Sequence, residues 1–313
     1  MKRLTVWRER TIARLIAALF VVGSATAVWA QEGPPDGQGG SGGRQMRPGG
    51  GGGPSQRPPG GGSRAYKLSG AYTLNGGTVA TTNQTYTSVA EDVSAILVGG
   101  GSSLTLFNPT VKTSGESSST ENSSFYGLNA AVLATRSSQI MIYGGTVTTS
   151  GRGANGLFAT GAGASVSMTG GSIKATGGGG HGVMASAGGA LALTNVNIVT
   201  TSERAAPVAT DRGGGTIVVS GGKMTSAGRG SPGIYSTGKI TVFNAEFIST
   251  GAEAAVIEGR NSITLADCTL TGAARCGVMV YQSFSGDAEG REGTFTMTGG
   301  SLTATSGPLF FIT

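Results

Sequence analysis

"QIMIYGGTVTTSG", residues 139–151, alternates apolar and polar positions, bends at a glycine pair and alternates again. The period of two at Ile140 and Ile142 belongs to a strand, because a helix spaces its apolar residues three or four apart. The phrase returns along the chain. It reads "SLTLFNPTVKTSG" (103–115), "SVSMTGGSIKATG" (165–177), "ALALTNVNIVTTS" (190–202) and "TIVVSGGKMTSAG" (216–228). "KITVFNAEFISTG" (239–251), "SITLADCTLTG" (262–272) and "TFTMTGGSLTATSG" (294–307) complete the series. Most copies start roughly 23–26 residues apart, a period that belongs to solenoids.

Each copy carries an inward pair, such as Val166/Met168, Leu191/Leu193, Ile217/Val219, Ile240/Val242, Ile263/Leu265 and Phe295/Met297. Ser167, Ala192, Thr241, Thr264 and Thr296 lie between the members and suit a solvent-facing position. A third strand centres on Val147, Ile173, Ile198, Met224, Phe247, Leu270 or Leu302. A further apolar group precedes each copy, among them "AAVLAT" (130–135), "GLFAT" (156–160), "GVMAS" (182–186) and "GVMVY" (277–281). Three short strands per coil follow.

The bend between the second and third strands reads Asn108, Gly144, Gly170, Asn195, Gly221, Asn244, Asp267 and Gly299. Only Gly, Asn and Asp occur there, the residues that adopt left-handed backbone angles at least cost. The asparagines are placed to stack as a ladder. The chain is therefore read as a single-stranded right-handed parallel β-helix of about eight coils, its hand taken from the crossover preference. At about 4.8 Å per coil the rod is roughly 40 Å long. Residues 65–88 read as an incomplete coil over the first rung, and 116–127 and 282–293 as loops pushed out between strands.

The N-terminus has a different composition. Lys2, Arg3, Arg8, Arg10 and Arg14 precede the apolar run 15–28, and "VWAQ" offers a cleavage site after Ala30. Residues 1–30 are expected to be a signal peptide, with an uncleaved anchor as the alternative. Export to the extracellular space, cell surface or periplasm follows, with no integral membrane segment once the signal is removed. Residues 31–64, rich in Gly, Pro and Arg, have almost nothing to bury and read as a disordered linker. From Ala65 onward 13 basic residues face 13 acidic ones, so the net charge of +6 belongs to the leader and linker. A neutral body offers no electrostatic footprint for nucleic acid.

Candidate chemistry is sparse. His181, the only histidine, lies in a Gly-His-Gly triplet that resembles part of a polygalacturonase site. Such a site also requires an Asn-Thr-Asp, an Asp-Asp pair and an Arg-x-Lys. This chain offers "TNQ" (82–84) and "ADC" (266–268) instead. His181 shares its column with Asn155, Ala206, Ala254 and Cys276, a corner without a common chemistry, and is read as structural.

The residues closing the first strand run Thr135, Thr160, Ser186, Asp211, Thr237, Glu258 and Tyr281. Asp211 and Glu258 are two coils, or about 10 Å, apart, with Arg212 and Arg260 following them. These four are the candidate site residues. In a lyase the carboxylates would hold Ca²⁺ and an arginine would take a proton, whereas a solvated surface ion-pair cluster needs no chemistry. No other cofactor is called for.

Outward threonines 148, 225, 271 and 303 raise an ice-binding array, but Lys112, Lys174, Val199 and Ile248 interrupt them. Phe107, Tyr143 and Phe243 are placed to stack on sugar rings. Cys268 and Cys276 are read either as a disulfide or as buried thiols.

The blocks "STENSSFYGLNAAVLAT" (119–135), "TDRGGGTIVVSGG" (210–222), "AVIEGRNSITL" (255–265) and "VMVYQSFSGDAEG" (278–290) resemble a family of exported bacterial proteins. Members of that family are right-handed parallel β-helices, pectin-lyase-like in fold and often labelled adhesin-like, without an established activity. The resemblance implies fold and export and transfers no catalytic residue. Its pattern continues past "GPLFFIT" (307–313), so the chain is expected to be truncated, with an open C-terminal coil prone to self-association. The expected function is a non-catalytic rod that binds a surface glycan or protein. The alternative is a lyase or hydrolase acting on acidic polysaccharide.

Overall fold

The computed structural model describes residues 67–282 and 292–313. Residues 1–30, 31–64 and most of the 282–293 insertion lie outside the described residues. The described chain is nearly all β and winds into a parallel solenoid of about eight turns. A ten-stranded sheet forms the first face, starting at Gly70–Asn75 and ending at Phe310–Ile312. The second and third faces merge into one sheet, because Ser262–Gly272 and Thr294–Ala304 run through the corner unbroken. Among the described residues, no helix is long and apolar enough to cross a membrane.

The registers follow the repeat. Ile140, Val166, Leu191, Ile217, Ile240 and Ile263 stack one above another, as do Val147, Ile173, Ile198, Met224, Phe247 and Leu270. Both columns are buried. Of the residues between the inward pairs, Ala192 is buried, its short side chain shaded by its rung neighbour Val218. Residues 65–88 depart from expectation. Gly70–Asn75, Thr78–Thr82 and Thr85–Ser88 pair with the next coil on all three faces, so they extend the solenoid instead of covering it.

Every residue of the bend column has positive φ, from +48° at Asn108 to +71° at Gly221. This geometry turns the N–H toward the neighbouring coil. Asn108 N–H reaches Tyr143 O at 2.7 Å, Gly144 N–H reaches Thr169 O at 2.8 Å, and Asn195 N–H reaches Ser220 O at 2.8 Å. The side-chain ladder expected of the asparagines forms at Asn108, which donates to Asn83 at 2.9 Å. Elsewhere glycines separate the polar members, apart from the neighbours Asn244 and Asp267, and the backbone carries the stack.

The stretch 116–127, read as a loop, contains the helix Thr120–Tyr126. Ser119 caps its start by accepting from Asn122 N–H, and Gly127 ends it at φ +79°. The helix lies against the outer side of the first face. A Cβ on Gly127 would stand 2.6 Å from the Phe158 ring. At the other end, Phe310–Ile312 pairs with Val278–Val280, and Phe310 meets Phe295 edge-on at 5.8 Å. Leu309, Phe310, Phe311 and Ile312 are exposed.

The bend separates two costs. Gly170 (φ +68°) has open space where a Cβ would go, whereas a Cβ on Gly171 (φ +84°) would sit 2.4 Å from Gly145 O. Gly170→Ala is expected to cost about 1–2 kcal/mol from backbone strain alone. Gly171→Ala should cost at least about 2 kcal/mol more, because the next coil must shift. Urea unfolding of the two variants measures the difference.

Candidate functional site

The first face is apolar on both sides. Val132, Leu157, Val183, Val208 and Ile234 face the solenoid interior, while Leu133, Phe158, Met184 and Ala209 form a second cluster outside it. Phe125 of the helix packs on that outer cluster, together with Tyr235. The helix is tied down by buried amides. Asn155 Nδ2 donates to Ser123 O (3.2 Å) and Ser124 O (2.9 Å) within the helix, and Asn129 Nδ2 holds the chain leading into it through Gly115 O (3.0 Å).

A cleft of about 490 Å³ opens beside the helix. Glu121 and Phe125 line it from the helix, and His181, Arg204, Asp211 and Tyr235 from the coils. Two residues treated separately in the sequence, His181 and Asp211, thus share one cavity.

His181 is buried within a hydrogen-bonded corner. Its N–H donates to Asn155 Oδ1 (2.9 Å), and its Nδ1 accepts from Ala206 N–H (3.1 Å). The corner therefore has a chemistry after all: polar side chains accept the N–H of the coil above. One position earlier in the register Ser231 works in the opposite sense, accepting from Ala205 N–H of the preceding coil at 2.9 Å. The column also reads differently. The strand registers place Glu253, not Ala254, beneath Cys276. An Nδ1 acceptor must be unprotonated, which puts the proton of the neutral ring on Nε2. Burial lowers the imidazole pKa to about 4.

Asp211 and Glu258 are each only 7% exposed, which overturns the solvated surface cluster. Asp211 Oδ1 accepts from Arg212 N–H at 2.7 Å. Glu258 Oε2 accepts from Tyr281 OH at 2.7 Å and from Tyr235 OH. Desolvation raises both phenol pKa values, assisted by the Asp211 charge at Tyr235 and by the Glu258 hydrogen bond at Tyr281. Each hydroxyl therefore keeps its proton and donates it.

The arginines diverge. Arg212 turns to the helix, pairing with Glu121 at 3.0 Å and lying 4.3 Å from the Phe125 ring centre. Arg260 lines another concavity of about 520 Å³, with Gly214, Thr237, Lys239 and Glu292, at the corner after the first face. Of the four candidates, Asp211 lines the cleft and Arg260 the second concavity, while Arg212 lies against the helix and Glu258 is buried in the tyrosine cluster. Among the described residues, no group of three or more His, Cys, Asp or Glu side chains is placed to hold a metal ion.

Phe107 and Tyr143 stack face to face on the second face, their rings 5.2 Å apart and 13° from parallel. Phe243 occupies the same column, separated from them by Thr169, Thr194 and Ser220. The threonine row stacks in register with its interruptions. Both cysteines are buried, unbridged thiols, and desolvation raises the pKa of each. Cys268 Sγ donates to Ala266 O at 3.2 Å. No family model, no curated protein and no solved structure matches the chain.

Two predictions follow from these contacts. His181 takes up its proton far more readily unfolded (ordinary pKa 6.5) than folded (about 4), so stability falls as pH drops through that window. Below it the loss approaches roughly 3 kcal/mol. His181→Asn, which keeps an acceptor near Ala206 N–H, should flatten this part of the pH dependence in urea titrations. His181→Ala should flatten it too, but with a loss of about 1–3 kcal/mol at neutral pH from the orphaned N–H. Tyr235→Phe leaves Glu258 one donor short and should cost about 1.5–3 kcal/mol by thermal unfolding above the carboxylate range.

Proposed function

We propose that this protein is an exported, non-catalytic β-helix rod that binds a surface glycan in the cleft between the helix and the first face. The carrying observation is how the carboxylates are committed. Asp211 is tied to the backbone and Glu258 to two phenols, an arrangement that fixes the shape of the cleft floor. A catalytic pair would need an oxygen free to meet substrate or metal, with a base beside it. Arg212 is engaged by Glu121, and Arg260 lines the other hollow.

The cleft has the mixed character of a saccharide site. The half-buried Phe125 and Tyr235 provide apolar ring surface, while His181, Arg204 and Asp211 provide polar edges. The leader-like N-terminus and the family resemblance support export and an adhesin-like role.

Affinity electrophoresis against a panel of neutral and acidic polysaccharides tests the reading. Retardation by at least one polymer, without change in its chain length, is expected. Tyr235→Ala should abolish it, and Tyr235→Phe, which keeps the ring, should preserve it. If instead unsaturated or reducing-end products accumulate, and Asp211→Ala stops them, the lyase or hydrolase reading takes its place.

A further inference from the structure

Arg204 stands where the neighbouring coils place glycine. Counting back from the paired strands, its corner position is held by Gly153 and Gly179 before it and by Gly230 after it. All four have positive φ: +71°, +73° and +66° at the glycines and +52° at Arg204. The corner demands the left-handed conformation, which glycine adopts freely and arginine only with strain.

Two other arginines share this strain, Arg212 (φ +44°) and Arg275 (φ +66°). Each holds a carboxylate, Arg212 that of Glu121 at 3.0 Å and Arg275 that of Glu253 at 3.5 Å. Arg229, one coil beyond Arg204, pairs with Glu203 at 3.7 Å. Among the described residues, Arg204 has no such partner, and its side chain lines the cleft. The Arg204 backbone N–H bonds to Arg229 O at 3.2 Å, as the corner glycines bond to their own neighbouring coils, so the backbone contact does not call for an arginine. A strained residue whose side chain the fold does not engage points to a use outside it. His181 adds a second donor to the same cavity, since its Nδ1 is occupied by Ala206 N–H and Nε2 holds the proton.

We infer that Arg204 is a specificity-determining residue whose guanidinium binds an anionic substituent, a carboxylate or a sulfate, on the glycan in the cleft. The inference rests on the cleft-binding reading above. A planar fork of donors suits either oxyanion, and the Phe125 and Tyr235 rings suit the sugar that carries it.

Arg204→Gly is the informative variant, because it restores the corner residue of the neighbouring coils and removes a ligand contact at once. Alginate, dextran sulfate and dextran serve as carboxylate, sulfate and neutral probes, with Lys174→Gln on the third face as a control for loss of one positive charge. The variant is expected to melt roughly 2–4 °C higher than the parent. Its affinity for alginate or dextran sulfate should fall roughly ten- to hundredfold. Lys174→Gln should change affinity less than twofold. The anionic polymer that loses affinity identifies the group read.

Equal losses in both variants would reduce the effect to bulk charge and overturn the inference. Dextran bound as tightly as the anionic polymers, with Arg204→Gly neutral, would also overturn it while leaving the cleft-binding reading intact. Retention of none of the polymers in a wider panel would remove both.

Discussion

The left-handed bend between the second and third faces is the constraint on which the solenoid depends. A chain with only the alternating pattern would make extended strands without a rule for where to turn. A residue of positive φ at this one position in every coil supplies that rule, and it also aims an N–H at the next coil. Because every coil bends at the same register, the inward pairs fall above one another without further specification. Few aromatic residues and many glycines follow from this geometry, since stacked corners leave little room for side chains.

The first face imposes a second constraint. Its strands are apolar on both sides, so the outer column of Leu133, Phe158, Met184 and Ala209 must be covered. The helix Thr120–Tyr126 supplies that cover for the early coils. Its attachment is largely polar, through Asn155 and the Arg212–Glu121 pair. A seven-residue helix has little intrinsic stability, so these contacts and Phe125 hold it in place.

The periodicity made the coils, the three faces and the bend column legible, because each repeats and eight copies vote on one register. What happens once was not legible in that way. The helix hides in "STENSSFYG", although the capping serine and terminal glycine were available as signals. The burial of Asp211 and Glu258 was missed for a related reason. Their place at the end of a strand suggests exposure, whereas the unbroken apolar runs "AAVLAT", "GLFAT" and "GVMAS" imply strands covered on both faces. Tyr235 escaped notice because its importance lies in reaching Glu258, one coil on, which no spacing rule announces.

The cleft arises where these two constraints part company. The helix covers the outer column as far as Phe125 reaches, and beyond that point the apolar residues Met184 and Ala209 give way to Tyr235. Within the two coils before Tyr235 the corner ladder changes from Asn155 to His181, and one glycine corner gives way to Arg204. Polar groups thus concentrate where cover runs out, with Arg204 and Tyr235 at positions that the coil before fills with glycine and alanine. A repeat scaffold tolerates such departures because each coil is held by its neighbours through backbone bonds that do not depend on side chains. Departures clustered on a single outer surface, around one hollow, are what distinguish a site from the ordinary drift of a repeat.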